Sequence, residues 1–198
     1  MTTAAALGAE RVMGNQMAAL AGELGELLVD AVDGGASVGF LAGLDRESAA
    51  DWWRGRAADV TAGRVATWVV RANGGEGVGD AGRVIGTVSL AFAAKPNARH
   101  RAELVKLLVH REARGRGLGR SLLALAEREA ARAGVTLLLL DTETDSPAET
   151  LYASAGWTRT GVVPDHAADP AGMLRPTTFL YKSLVQGPDR TLDEPCRA

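Results

Sequence analysis

The fold of this chain is decided by residues 103–157, ELVKLLVHREARGRGLGRSLLALAEREAARAGVTLLLLDTETDSPAETLYASAGW. An apolar run precedes the glycine-rich segment 114–120 and a long amphipathic pattern follows it, an order that predicts strand, loop and helix. The first N–H groups of a helix lack intrahelical partners and lie at its partially positive end. Glycines also let the main chain approach a ligand closely. We therefore predict that this segment binds phosphate or pyrophosphate.

Two common phosphate-binding patterns fit the glycine-rich segment poorly. A P-loop requires lysine followed by serine or threonine, whereas Arg120 precedes Ser121 here and the glycine spacing differs. A dinucleotide-binding loop follows the first strand and has a third glycine where this chain has Arg120. The pattern R-x-x-G-x-G, in contrast, is met without a gap by Arg114, Gly117 and Gly119.

This pattern, together with the following helix, strand and LYASAGW segment at 151–157, resembles the GCN5-related N-acetyltransferase (GNAT) superfamily. The resemblance implies a single-domain α/β fold with a mixed, mostly antiparallel seven-stranded sheet, flanking helices and splayed fourth and fifth strands. It also implies acetyl-CoA as cosubstrate, bound in the gap between those two strands. The residues expected to bind it are Leu107, Leu108, Val109, Arg114, Gly115, Arg116, Gly117, Leu118, Gly119 and Arg120.

A narrower resemblance, over about residues 52–184, is to tabtoxin-resistance acetyltransferases. It rests on the runs KPN at 95–97, RAE at 101–103, the segment 113–120, LDTE at 140–143 and PTT at 176–178. Those enzymes acetylate the amine of a β-lactam amino-acid toxin. The resemblance therefore implies that the acceptor is a primary amine on a small polar metabolite, antibiotic or toxin.

Acyl transfer to an amine needs a base for the amine, donors for the oxyanion and an acid for the leaving thiolate. By resemblance, Tyr152 is the general acid, although its position also suits a core tyrosine. Glu103 and Asp141, at the adjacent strand ends where open α/β sheets place ligands, are the candidates for the base or for binding the ammonium. The sequence leaves open which one acts. No cysteine is placed for a covalent intermediate, so we expect direct attack in a ternary complex.

Three further residues are candidates for binding the acceptor. Trp52 and Trp53 lie on the predicted second helix, and by resemblance the first two helices flank the acceptor site. Tryptophans on helices are more often core residues. His166 lies in the predicted last hairpin, which could cover the acceptor. One departure from the superfamily pattern is Asp145, where an asparagine is usual, because an ionised carboxylate cannot donate a hydrogen bond to CoA.

The composition limits the other classes of function. A chain of 198 residues supports one domain, expected at 1–185, with a polar tail at 186–198 that we expect to be disordered. The net charge of −2 gives no basic field for nucleic acid or anionic membranes. No apolar run reaches the roughly 18 residues of a membrane span, and the N-terminus lacks a charged signal region, which favours a cytoplasmic protein. The one cysteine and three histidines share no metal-ligand spacing.

Periodicity and turn signals predict the remaining elements. A glycine-rich turn at 73–82 is expected to be mobile, 36–44 to be an apolar loop, and Asn15 and Ser146 to cap helices. The predicted helices are 15–33, 45–62, the helix after the glycine loop and the one after Ser146; the predicted strands lie near 11–13 and at 65–71, 84–93, 104–109, 135–141, 162–170 and 177–184.

The main prediction is therefore an N-acetyltransferase for a small amine. Three alternatives stay open at this point: a protein or peptide N-acetyltransferase, a biosynthetic acyltransferase with another acyl donor, and a non-catalytic acyl-CoA-binding regulator. Dimers are common for this fold, so a homodimer is compatible with the sequence.

Overall fold

The computed structural model describes residues 8–72 and 82–185. The predicted tail at 186–198, and the predicted turn at 73–82 apart from Gly82, lie outside the described residues. The strands are β1 Ala9–Val12, β2 Val65–Arg71, β3 Val84–Phe92, β4 Arg101–Val109, β5 Leu137–Glu143, β6 Thr158–Ala168 and β7 Leu174–Ser183. The α-helices are α1 Gly14–Asp33, α2 Arg46–Arg54, α3 Ala57–Thr61, α4 Leu118–Arg132 and α5 Pro147–Ser154, and short 3-10 helices span Pro96–Ala98 and Arg111–Ala113.

The strands form one seven-stranded sheet in the order β1-β2-β3-β4-β5-β7-β6. All neighbours are antiparallel except β4 and β5, which are parallel. Their pairing begins at Arg101 with Leu137 and ends at Glu103 with Leu139, although β4 continues to Val109. The predicted mixed sheet and the predicted separation of the fourth and fifth strands are therefore confirmed. We call the gap between β4 and β5 beyond Glu103 and Leu139 the notch.

Helices cover both faces of the sheet because each presents one apolar side. On one face α4 and α5 pack on β2–β5, with Leu122 and Leu138 fully buried. On the other face α1 and α2 form a second core in which Leu24 and Trp53 are fully buried. We call the face of the sheet that is covered by α1 and α2 the α2 face. No helix among the described residues is long and apolar enough to cross a membrane.

Of the predictions made for helix ends, two are confirmed and one was wrong. Ser146 caps α5 as predicted, because its Oγ accepts from the Glu149 N–H at 3.2 Å. Gly134 follows α4 with a positive φ of 79°, as expected for a helix-ending glycine. Asn15 as the cap of the first helix was wrong: α1 begins at Gly14, and the Met13 N–H instead donates to Gln16 Oε1 at 2.8 Å.

Several predicted boundaries were wrong, including the ends of β6 and β7, and three of the differences bear on the site. The helix predicted at 45–62 is two helices, α2 and α3, separated at Gly55, a residue type that disfavours helix interiors. The fourth strand begins at Arg101, three residues before its apolar run, because pairing with β3 and β5 extends it. The fifth strand continues past Asp141 to Glu143 because β7 pairs with it over its whole length. Asp141 therefore lies inside β5 and not at its end.

Candidate active site

The loop that joins β4 to α4 lies at the open end of the notch. Gly115 and Gly117 have φ values of 74° and 79°, in the left-handed region that glycine adopts most readily. A Cβ built on Gly119 would lie 3.4 Å from Leu151 Cδ2 and 3.8 Å from Val109 Cγ2, so the loop rests between β4 and α5. This position puts the N-terminus of α4 next to the space between the separated strands.

The N-terminus of α4 offers free hydrogen-bond donors. Within the part of the chain that the structure describes, the backbone N–H groups of Leu118, Gly119 and Arg120 have no acceptor. The preceding Gly117 has no side chain that could cap them. Free N–H groups at the positive end of a 15-residue helix attract an anion.

The three predicted phosphate-binding arginines differ in their contacts. Arg114 Nε donates to the Val109 carbonyl at 3.0 Å, and Arg120 Nη2 donates to Ser154 Oγ at 2.7 Å. Both arginines therefore brace the loop against its neighbours, and both remain exposed. Arg116 is exposed and has no partner among the described residues. Their role toward CoA stays a prediction.

Beyond Glu103, one edge of β4 is unpaired, and the backbone groups of every second residue point from this edge into the notch. The His110 N–H donates to the Ile85 carbonyl of β3 at 2.9 Å, and Leu108 lies opposite Thr87 in the same ladder. Because backbone groups alternate sides along a strand, Leu108 also faces β3, whereas Leu107 and Val109 face the notch. The Leu108 side chain is buried as well. Of the three β4 residues predicted to contact the thioester, Leu107 and Val109 therefore have backbone groups on the notch side, and the binding role of all three stays a prediction.

The two predicted carboxylates lie on the α2 face. Glu103 lies two residues before Val105, which lines a pocket on this face, and Asp141 alternates with the core residues Leu138 and Leu140 on β5. Both acids are exposed. Partial burial of its carboxyl, followed by the charge of Asp141, raises the pKa of Glu103. The structure thus brings together the two acids that the sequence singled out.

Tyr152 lies in α5, behind the notch. It is buried, and its ring lies 5.8 Å from that of Trp157. Its hydroxyl forms no hydrogen bond with any described residue. Burial, with a smaller contribution from Asp141, raises the pKa of Tyr152 above its ordinary value. The phenol therefore keeps its proton at neutral pH, as a general acid must.

Lys106 is a site residue that the sequence analysis missed. It has a positive φ of 52° at a bulge in β4, where the register with β3 shifts. Its Nζ donates to the Val38 carbonyl at 2.8 Å and lies 5.0 Å from the Trp52 ring. Burial lowers the pKa of Lys106, while the charges of Asp141 and Glu103 act in the opposite direction. The available signal was a lysine inside an apolar strand pattern, between Val105 and Leu107.

Trp52 and Trp53 both line a pocket, and their predicted contact with the acceptor stays a prediction. Their rings are 4.9 Å apart and perpendicular, and Trp52 also contacts Phe40 at 5.7 Å. The pocket has a volume of about 240 Å³ and lies between α2 and strands β2–β4, with Arg56 and Lys106 in its wall. Trp53 is fully buried, so it serves the core and the pocket together.

The α1–α2 loop and the β6–β7 hairpin meet at one side of the α2 face. The Ala42 N–H donates to the Pro170 carbonyl at 2.8 Å, and Ser37 Oγ donates to the Ala168 carbonyl at 3.4 Å. His166 packs edge-on against Phe179 at 5.2 Å, and Phe179 pairs with Asp141. The predicted substrate contact His166 therefore lies on the same surface as Asp141.

His110 does not join this cluster. His110 Nδ1 accepts from the Glu112 N–H at 3.3 Å, and its Nε2 lies 3.5 Å from Asp30 Oδ1, which suits a structural role. Across 8–72 and 82–185, no group of three His, Cys, Asp or Glu side chains could hold a metal ion.

Comparison with known proteins agrees with this geometry. Three solved structures share the fold. A ribosomal-protein-alanine N-acetyltransferase from Brucella melitensis is 25% identical, with 88% of this chain and 98% of that one covered and a TM-score of 0.66. The protein yncA of Salmonella typhimurium, whose structure contains its cofactor acetyl-CoA, is 22% identical, with 92% of this chain and 96% of that one covered and a TM-score of 0.67. A protein from Acinetobacter baylyi ADP1 is 18% identical, with 94% of this chain and 97% of that one covered and a TM-score of 0.70.

A sequence model of the acetyltransferase (GNAT) family matches residues 44–157. The matched segment contains α2, the notch strands, the glycine loop and α5. It covers more than half of the 198 residues, and the chain therefore belongs to the acetyltransferase (GNAT) family.

Proposed function

We propose that this protein transfers the acetyl group of acetyl-CoA to a primary amine on a small polar molecule. The observation that carries the proposal is a convergence at one place in the sheet. The unpaired edge of β4, the free N–H groups of α4 and two carboxylates lie around the notch, and we propose that the protonated Tyr152 reaches it from α5. Each chemical need of acyl transfer to an amine has a residue there.

The donor half of the site is proposed to bind acetyl-CoA mainly through backbone. The N–H groups of Leu118, Gly119 and Arg120 would bind the pyrophosphate, and the left-handed glycines Gly115 and Gly117 would let it approach. Arg114, Arg116 and Arg120 would pair with CoA phosphates, which suit guanidinium groups. The edge of β4 at Leu107 and Val109 would bind the pantetheine arm as an added strand does.

The reaction is proposed as direct attack of the acceptor nitrogen on the thioester carbonyl carbon. Glu103 or Asp141 takes the proton of the ammonium, directly or through water, so that the nitrogen lone pair is free. The N–C bond forms, and the oxyanion is stabilised by the Val109 N–H. The C–S bond then breaks, and the leaving thiolate of CoA takes the proton of Tyr152. The attacked nitrogen loses its remaining extra proton to the Tyr152 phenolate, directly or through water, which gives the neutral amide and restores the phenol.

The proposed acceptor is small because the α1–α2 loop and the β6–β7 hairpin are joined over one side of the α2 face. Hydrogen bonds at Ala42 and Ser37 make this closure. The resemblance to tabtoxin-resistance enzymes favours the same acceptor class, an antibiotic or amino-acid toxin. A peptide acceptor is the second candidate, because the Brucella neighbour is named for acetylating a ribosomal-protein alanine.

The test is CoA-thiol release from acetyl-CoA against small amines, amino-acid-like antibiotics and peptides. We expect release with at least one small amine. Release with peptides alone would replace the proposed acceptor class by the second candidate. Tight acetyl-CoA binding without release from any amine would favour a binding-only role or another acyl group.

A further inference from the structure

We propose that the pocket beside Trp52 and Trp53 binds a carboxylate of the acceptor, so that the substrate is an amino acid or an amino-acid-like molecule. This inference rests on the proposed function and specifies its substrate class. We call this cavity of about 240 Å³ the carboxylate pocket; its polar and aromatic lining is Trp52, Trp53, Arg56, Thr67, Ser89 and Lys106.

The carboxylate pocket is mostly apolar, but its wall contains two cationic side chains, Arg56 and Lys106, and no acidic side chain. Trp53 Nε1 and Arg56 Nε are buried N–H groups without a hydrogen-bond partner among the described residues. Trp53 itself is only 1% exposed. A buried donor left without an acceptor costs roughly 1–3 kcal/mol, so two unpaired donors on residues that line one pocket are a rare arrangement in a folded protein. An oxyanion is the group that accepts from such donors without offering any of its own.

The rest of the pocket wall supports the same ligand. The Lys106 ammonium has three N–H donors, and it donates one of them to the Val38 carbonyl, so two remain for a ligand. The hydroxyls of Thr67 and Ser89 lie 2.9 Å apart and are buried, and one of them can turn its hydrogen toward the pocket. Arg56 lies 3.5 Å from Asp59, an acid that also pairs with Arg64 at 2.8 Å, so Asp59 is shared between two guanidinium groups.

The charges on the α2 face are arranged as a dipole. Lys106 and Arg56 bring positive charge to the pocket, and Glu103 and Asp141 lie at the adjoining notch. Lys106 lies three residues after Glu103 in β4, and the charges of Asp141 and Glu103 both act to raise its pKa, as expected for neighbouring groups. An acceptor with an ammonium at the acids and a carboxylate in the pocket would satisfy both ends. A neutral amine would leave the donors of the pocket unpaired.

The first experiment compares matched acceptors. CoA-thiol release is measured with the proteinogenic L-amino acids, with the primary amide of each, and with the amine that lacks the carboxyl group. For the accepted side chains we expect kcat/KM of the acid to exceed that of amide and amine by about tenfold or more, the size of one or two charge-assisted hydrogen bonds. The amine of an amide is less basic and hence more often unprotonated, so reactivity alone would favour the amide.

The second experiment uses variants of the pocket. Arg56→Leu should raise KM for the acid about tenfold, leave kcat within about twofold, and abolish the preference over the amide. Lys106→Met should act in the same direction. Arg64→Leu is the matched control, because Arg64 pairs with the same Asp59 but does not line the pocket. Circular dichroism confirms that each variant is folded.

The outcomes separate the two proposals. Failure to bind acetyl-CoA in calorimetry would defeat the proposed function and this inference together. Release with amides and amines at the same efficiency as with acids would overturn the carboxylate pocket alone. Silence from every acid while an amide or a simple amine is acetylated would also overturn it. An acid preference that survives Arg56→Leu and Lys106→Met would place the carboxylate elsewhere.

Discussion

The donor half and the acceptor half of the proposed site are built in different ways. The donor half comes from one contiguous segment, from Leu107 in β4 to Arg120 in α4, and its proposed contacts are mostly backbone N–H groups. The acceptor half takes side chains from the α1–α2 loop, α2, β2, β3, β4, β5 and the last hairpin. Only β4 contributes to both, with its notch edge to one half and with Glu103 and Lys106 to the other.

This difference suggests how each half tolerates change. A backbone N–H donor is kept in most substitutions, unless the new side chain blocks the approach of the ligand or strains the backbone. Side chains that converge from seven segments depend on the packing of α2 against the sheet. The experiments below, in order of decreasing expected effect, test whether the two halves can be damaged separately.

Tyr152→Phe should give the largest effect, because Tyr152 lies between the halves. We expect kcat to fall by about 100-fold or more, with acetyl-CoA affinity unchanged, since the phenol is lost as a proton donor. The raised pKa of Tyr152 keeps it protonated through neutral pH, so the deficit should be the same from mildly acidic to mildly alkaline conditions. Tyr181→Phe in β7 is the control. Normal turnover of Tyr152→Phe would remove it as the acid.

Gly117→Val should damage the donor half alone. The φ of 79° at Gly117 strains any side chain, and a branched one obstructs the approach of phosphate to α4. We expect acetyl-CoA affinity in calorimetry to fall by about 100-fold, equivalent to about 2.7 kcal/mol.

Gly134→Val is a matched control for Gly117→Val, because Gly134 has the same φ of 79° at the opposite end of α4. It should lose similar stability and retain binding. Equal loss of affinity in both variants would mean that helix strain, and not a blocked pyrophosphate site, is responsible.

Gly25→Ala should damage the acceptor half alone. A Cβ there would lie 2.8 Å from the Ala50 backbone nitrogen, so α2 must move away from α1. We expect about 1–3 kcal/mol less stability in denaturant unfolding and a higher KM for the acceptor, with unchanged acetyl-CoA affinity. Gly22→Ala, in the same helix with nothing within 4 Å, should instead be neutral or stabilising. Weaker acetyl-CoA binding by Gly25→Ala would show that the halves are coupled.

Asp141→Asn should give the smallest shift and sharpen the assignment of the base. The negative charge of Asp141 helps to raise the pKa of Glu103, so its removal lowers that pKa toward the ordinary value. A base acts when deprotonated, and the rising limb of kcat/KM against pH should therefore move to lower pH. Glu103→Gln should abolish that limb. If Asp141→Asn leaves the limb in place, Glu103 is not the group that titrates.

The elements were predictable where the physics is local. The glycine loop, the helix that follows it and the Ser146 cap all depend on neighbouring residues, and all three lie where the sequence placed them. The boundaries failed where pairing partners decide: Arg101 joins β4 and Glu143 joins β5 because adjacent strands extend them. The break at Gly55 was missed because the apolar pattern continues across it.

By itself, the sequence determined the family, the sheet class and the glycine loop between β4 and α4, because these depend on contiguous residues and on backbone conformation. It also singled out Glu103, Asp141 and Tyr152, whose roles stay predictions. Only the tertiary structure decided that Arg56 and Lys106 line one pocket with Trp53, and that Leu108 turns away from the notch. The physical reason is that a bulge in β4 and the packing of α2 on the sheet determine which way these residues face. Neither feature produces a periodic pattern of apolar residues that could be recognised in the sequence.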